Sequence, residues 1–181
     1  MKPMIGVATI YLLLAASAHA TPAWSVETGG LIGGADGVGG VGGSIGAGQR
    51  LFHSGAASVW AHETLTATSL FGPLLFGHGS GAAFRGSAGI ELQAATSPGG
   101  PTYFLFGLEA GYLQVDYEGV DDAFFGGSTP VSIHDRGPIG AFRIGIHFGS
   151  QSVGIEPVLE LIPRSGQPTA GDLGLTLVFA W

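Results

Sequence analysis

The chain has 181 residues, of which 34 are glycine and none cysteine; only 10% are charged, the net charge is −7 and the mean hydropathy is +0.40. The length suits one domain, and the missing cysteines exclude a small secreted module held by disulfides. Beyond Lys2 there is no lysine, and five arginines stand against thirteen acids, so the chain has no basic stripe for nucleic acid.

Residues Met1 to Ala20 start with Lys2, run apolar from Ile5 through Ala16 and end on Ala18-His19-Ala20, with small residues where a signal peptidase needs them. That run is shorter than the roughly 20 residues of a spanning helix. Residues 1–20 are therefore expected to be a cleaved export signal and residues 21–181 the mature domain. No later segment reads as a spanning helix: Thr64 to Phe84 lacks charge, but Gly72, Pro73, Gly77, Gly79 and Gly81 interrupt it. An apolar chain without helices points to a closed barrel, because only helices and closed barrels satisfy every backbone hydrogen bond in a bilayer.

Alternation with period two then predicts eight strands. The first, Trp24 to Ile32, points Trp24, Val26 and Ile32 outward and Ser25, Glu27 and Gly29 inward. The second, Val41 to Phe52, points Ile45, Ala47 and Leu51 outward and Ser44, Gly46 and Arg50 inward. In the third, Ser58 to Ser69, Trp60 favours lipid and Glu63 the lumen, which leaves His62 outward. The fourth, Ala82 to Ala94, points Phe84, Ala88, Ile90 and Leu92 out and Arg85, Ser87, Glu91 and Gln93 in. The fifth, Thr102 to Val115, points Phe104, Phe106, Leu108 and Tyr112 out and Gly107, Glu109 and Gly111 in. The sixth, Ile139 to Gly149, points Phe142, Ile144, Ile146 and Phe148 out and Arg143, Gly145 and His147 in. The seventh, Val153 to Pro163, points Val153, Ile155, Leu159 and Leu161 out and Glu156 and Glu160 in. The eighth, Leu173 to Trp181, presents Leu173, Leu175, Leu177, Phe179 and Trp181 on one face and Gly174, Thr176, Val178 and Ala180 on the other.

An aromatic ending of this kind resembles the C-terminal signal by which outer-membrane proteins are read by the barrel-assembly machinery, with Phe179 and Trp181 as the residues read. The whole mature pattern resembles the small OmpA, OmpX and OmpW group. That resemblance implies an all-β fold, a single antiparallel up-and-down transmembrane barrel of eight strands. It also implies a monomer in the bacterial outer membrane, in contact with outer-membrane lipid and lipopolysaccharide. With the termini in the periplasm, the short connections His53 to Ala56, Thr96 to Pro101 and Ser150 to Ser152 would be periplasmic turns. The longer ones, Gly33 to Gly40, Leu70 to Gly81, Tyr117 to Gly137 and Arg164 to Gly171, would be external loops.

The inward set supplies the candidate lumen ion pairs: Arg85, Glu91, Glu109, Arg143, His147, Glu156 and Glu160, joined by Glu27 and Arg50. Eight strands leave an interior just wide enough for side chains to fill, so this set reads as a polar filling and not as a pore lining. A tight turn on Gln151 and Ser152 would set Arg143 opposite Glu160 and His147 opposite Glu156, as structural pairs, with a catalytic His and Glu as the alternative. Lipid A deacylases of the PagL type use His, Ser and Glu. The nearest match here, His78-Gly79-Ser80 with Glu91, lies in a loop and not on a late strand, so no catalytic residue is assigned. Gly29 to Gly48 has no following Lys-Ser/Thr for a phosphate, and the histidines, including His134 beside Asp135, lack metal-ligand spacing. Neither cofactor nor metal is expected. The third external loop carries Asp121, Asp122, Phe124 and Phe125, an acidic and apolar group suited to a surface partner or to capping the rim. The expected role is structural or surface interaction. A lipid A-modifying hydrolase and a narrow conduit for small apolar molecules are the alternatives.

Overall fold

The computed structural model describes residues 24–35, 38–73, 77–97, 102–122, 127–150, 153–164 and 167–181. The expected export signal lies outside them. Eight strands form among these residues: β1 (Trp24–Ala35), β2 (Val38–Ser54), β3 (Ala57–Pro73), β4 (Gly77–Ala95), β5 (Tyr103–Asp122), β6 (Ser128–Gly149), β7 (Val153–Arg164) and β8 (Gln167–Ala180). Each pairs antiparallel with its neighbours in sequence, and β1 pairs with β8, so the sheet closes on itself. The closing seam runs from Ser25 opposite Ala180 to Gly34 opposite Gly171. Reciprocal backbone hydrogen bonds of 3.0 Å between Trp24 and Trp181 finish it.

Closure fixes two faces. Outward positions such as Ile45, Phe84, Leu108, Phe142, Leu159 and Leu173 are exposed, while Glu27, Arg85, Arg143, His147 and Glu156 are buried inside. A continuous exposed apolar wall with charges inside is the reverse of a water-soluble protein. It is the pattern of a sheet that spans lipid. Space inside is short enough that glycine is required beside large side chains: a Cβ on Gly154 would sit 2.0 Å from Cε1 of His147.

Three expectations are corrected. The expected external loops are mostly strand. Gly33 to Gly40 contracts to the two residues between β1 and β2, and Tyr117 to Gly137 lies largely within β5 and β6, which stay in register up to Asp122 opposite Ser128. Leu70 to Gly81 and Arg164 to Gly171 contract in the same way. These segments lack alternation because they reach past the apolar wall, where backbone pairing needs no lipid-facing side chain.

The second correction is in β2. The register shifts between Arg50 and Phe52, so that Leu51 has no partner and Phe52, opposite Val59, takes the outward position. Arg50 stays on the lumen side, its guanidinium carbon 5.9 Å from the centroid of the Trp60 ring.

The third concerns β3, whose faces are inverted. Trp60, His62, Thr64 and Thr66 are buried inside, whereas Leu65 is 64% exposed on the outside. Trp60 sits near the end of the barrel where β1 starts and β8 finishes, and its indole N–H donates to Ser58 Oγ at 3.0 Å. Glu63 therefore faces outward, opposite Ala47 on β2 and Ala88 on β4. Acidic side chains on a lipid-facing wall are destabilising. Glu63→Leu is expected to stabilise the barrel by on the order of 1 kcal/mol in urea titrations in phospholipid vesicles. A loss of stability would mean that Glu63 is satisfied by something on the outer face.

Candidate functional site

The lumen is built in two charged groups and an apolar end. The first group centres on Arg143 of β6, which is 3% exposed. Its Nη2 donates to Glu27 Oε2 at 2.9 Å and lies 3.5 Å from Glu156 Oε2, and its Nε lies 3.6 Å from Glu91 Oε2. The His62 ring packs against the same guanidinium, with Nε2 3.1 Å from Glu27 Oε2 and Nδ1 3.4 Å from Glu109 Oε1. Ser87 donates to the other oxygen of Glu109. His147 lies 2.9 Å from Glu156 through Nδ1 and donates through Nε2 to the Ser150 carbonyl at 2.9 Å. Tyr103 stacks on that ring, centroids 4.2 Å apart, and its hydroxyl donates to Glu156.

The second group centres on Arg85 of β4. Its Nη1 donates to Asp172 Oδ2 at 3.1 Å, and its Nη2 donates to Glu160 and to Thr66. The backbone register does set Arg143 opposite Glu160. The side chains do not follow it: Glu160 is held by Arg85 and Arg143 by Glu27. Directly opposed residues in a narrow barrel are not obliged to pair, because long side chains reach across the lumen to strands far away in sequence. His62, Asp172, Ser87 and Tyr103 complete these groups, and the sequence reading had assigned none of them a partner.

Among the described residues these two groups contain six carboxylates, Glu27, Glu91, Glu109, Glu156, Glu160 and Asp172, against the guanidiniums of Arg85 and Arg143 and the imidazoles of His62 and His147. Even with both imidazoles charged, acids outnumber cations. Glu91 Oε2 and Glu156 Oε2 have no hydrogen-bond partner.

Beyond Arg85, toward the end where β1 turns into β2, the lumen becomes apolar. A recess of about 60 Å³ is lined there by Leu70, Leu113, Val115, Ile133, Ile162 and Ala170, with Arg85 and Asp172 also on its wall. A second recess, of about 150 Å³, lies at the end where β1 starts and β8 finishes and is lined by Arg50, His53, Trp60, Gln93 and Tyr103. A smaller polar space between the two charged groups touches both Arg85 and Arg143.

The hairpin of β5 and β6 extends past the apolar wall. After Tyr112 the outward positions become Gln114, Asp116 and Glu118 on β5, facing Arg136, His134 and Ser132 on β6. Gln114 Nε2 donates to Asp116 at 2.7 Å, and His134 Nδ1 lies 3.2 Å from the same carboxylate. These two contacts, Gln114 first, hold the Asp116 carboxyl below its ordinary range. The stabilisation they give is present at neutral pH and fades on acidification through that lowered range. Asp121 and Asp122 end β5, and Phe124 and Phe125 lie outside the described residues. His78 and Ser80 are exposed near the start of β4, whereas Glu91 is buried eleven positions further on, roughly 36 Å along the strand. The structure does not bring that trio together. Among the described residues no group of three or more His, Cys, Asp or Glu is placed to hold a metal ion.

With this geometry in hand, the likeness to solved structures is informative. The attachment invasion locus protein Ail of Yersinia pestis superposes with a TM-score of 0.57 at 14% identity, over 90% of this chain and all of its own. The fold is that of the small outer-membrane β-barrels. Neisserial surface protein A matches with a TM-score of 0.53 at 9% identity, over 87% of this chain and 96% of its own. The N-terminal barrel domain of Pseudomonas aeruginosa OprF matches with 0.50 at 12% identity, over 87% and 97%. No family model and no curated protein matches the sequence.

The side-chain pairing makes two predictions. A double-mutant cycle on Arg85 and Glu160 should show coupling of about 1–3 kcal/mol in reversible unfolding, while Arg143 and Glu160 should be additive. Arg143→Met should cost about 3–5 kcal/mol by stranding buried carboxylates, whereas Glu91→Gln should be within about 1 kcal/mol of neutral. Coupling between Arg143 and Glu160 instead would reinstate the pairing that register alone suggests. Separately, Gly154→Ala should destabilise by about 1–3 kcal/mol, since its methyl group displaces the His147 ring. Unchanged stability, with His147 NMR signals unmoved, would show that the ring has room elsewhere.

Proposed function

We propose that the protein is a monomeric barrel of the bacterial outer membrane whose charged lumen is closed to ions and which acts at the cell surface through the β5–β6 hairpin. The observation that carries this reading is the length of that hairpin, whose outward face turns from apolar to polar after Tyr112 while its ladder continues to Asp122 opposite Ser128. Barrels of this type carry their longer hairpins on the extracellular side, and that supports a hairpin tip outside the cell. Closure is supported by the ion pairs of Arg85 and Arg143, which stand between the two end recesses. Assembly by the barrel-assembly machinery through Phe179 and Trp181, and contact of the outer wall with lipid and lipopolysaccharide, belong to the same proposal.

Ail has been solved with the heparin analogue sucrose octasulfate. The hairpin here is acidic. Asp116, Glu118, Asp121, Asp122 and Asp135 outnumber Arg136 and His134, so a polyanion is repelled and a basic protein surface is attracted. A lipid A hydrolase finds no support in the positions of His78, Ser80 and Glu91.

Two measurements test the proposal. Planar-bilayer recordings of the intact barrel should show little or no conductance. Joining Tyr117 to Ile133, which face each other across the hairpin, through a two-residue turn should leave the barrel folded. In lipid nanodiscs the intact protein should bind immobilised protamine and not heparin, and the shortened protein neither. Steady conductance or heparin binding by the intact protein would sink the proposal.

A further inference from the structure

We propose that the outer wall around Glu63 binds an amphiphile whose primary ammonium sits directly on its hydrocarbon chain, with the ammonium held by the Glu63 carboxylate and the chain lying along the wall. This goes beyond the hairpin reading and rests only on the outward face meeting lipid.

Within the apolar wall Glu63 is the one acid on an outward row among the described residues, and no hydrogen bond or ion pair reaches it there. An ionisable group kept in hydrocarbon is costly and marks a functional contact. Its ladder partners are Ala47 and Ala88, and Ala61 precedes it on the outward row of β3, so small methyl groups leave the carboxylate open to an arriving group. A second acceptor stands one step away. Gln49 takes the outward register position opposite both Trp24 and Ala61, which makes it a diagonal neighbour of Glu63 across β2 and β3. It is 7% exposed, and its side-chain carbonyl has no hydrogen-bond partner. Two acceptors without a donor, set among small apolar side chains, call for a ligand that brings N–H groups.

Charge and depth then select the ligand. An anionic head is repelled by Glu63. A hydroxyl brings a single donor and no charge, and a quaternary ammonium brings charge without an N–H, whereas a primary ammonium brings both the opposite charge and enough donors for Glu63 and Gln49 together. Glu63 lies four residues past Val59, which faces Phe52 near the end of the wall, roughly 13 Å along the strand. A phospholipid ammonium reaches that depth only by drawing its phosphate beside the carboxylate. An ammonium carried directly on a chain brings no anion with it. A second copy of this chain fits poorly: among the described residues the outward rows of the wall carry no Arg or His, so a copy would offer Glu63 only apolar groups or another carboxylate.

The test uses the barrel in phosphatidylcholine nanodiscs and a dodecylammonium that carries a photoreactive diazirine in its chain. After irradiation, labelled positions are mapped by mass spectrometry. The expected result is label on outward residues around Glu63, such as Leu65 and Ile90, reduced at least tenfold by excess dodecylammonium and much less by dodecanol, dodecanoate or phosphatidylethanolamine. Glu63→Gln, which keeps the shape of an outward side chain and leaves the lumen untouched, should lower that label at least tenfold and leave label on a distant wall residue such as Leu159 unchanged. Adding Ala88→Glu, which sets a carboxylate on the position facing residue 63, should restore it. In vesicles that hold dodecylammonium, the gain in stability expected for Glu63→Leu should disappear. Equal label in Glu63→Gln and the intact protein, or persistence of that gain, overturns the site. Competition by dodecanol or dodecanoate equal to that of dodecylammonium overturns the ammonium head. Equal competition by phosphatidylethanolamine makes the occupant a phospholipid, and two barrels per nanodisc, lost in Glu63→Gln, make it a second copy; either result overturns the proposed ligand.

Discussion

Every part of this molecule depends on the pairing of β1 with β8. In hydrocarbon a sheet edge has no water to satisfy its N–H and C=O groups, and each orphan costs several kcal/mol. The seam from Ser25 opposite Ala180 to Gly34 opposite Gly171 removes both edges at once. Once the sheet is closed, alternation leaves each side chain only two destinations, lipid or lumen. The apolar wall and the charged interior are two outcomes of that one constraint.

Eight strands give a lumen too narrow for strand-to-strand neighbours to stay apart. Arg143 on β6 meets Glu27 on β1, and Arg85 on β4 meets Glu160 on β7. Such contacts brace the cylinder across its diameter, at right angles to the ladder. They carry a cost as well, because buried charge is tolerable only when opposed. Glycine supplies the remaining room: Gly154 is bare where the His147 ring lies, and Gly79 and Gly119 are bare where the Tyr117 hydroxyl lies.

Most of the fold was legible because period two is a strong signal when one face meets lipid. The six segments with a clean apolar face had their strands placed, and the β6–β7 register expected from a tight turn, Arg143 opposite Glu160, is the one found, although the turn residues themselves lie outside the described residues. β3 was misread by weighting Trp60 and Glu63, the two residues that break its pattern. Its odd positions, Val59, Ala61, Leu65, Ala67 and Phe71, form the apolar series that the structure turns outward, with Glu63 and Ser69 as the polar exceptions within it. The β2 face slipped at Leu51 because a register shift is not visible in alternation. Side-chain partners were legible only where they lie across one ladder, as with His147 and Glu156. Partners across the lumen, such as Arg143 with Glu27, depend on barrel tilt and stagger, which no local pattern encodes.

The conversion of expected loops into paired strand affects how this surface meets the world outside. A protease or an inserting partner needs several consecutive residues free of a ladder, and among the described residues at this end the ladder runs to Ala35, Pro73, Asp122 and Arg164. The described strand ends are held by the same ladder that forms the apolar wall. Sequence can therefore vary at exposed side chains such as Glu118 and Ser132 without disturbing a backbone that is already committed. The paired part of this surface is hard to cut yet easy to repaint.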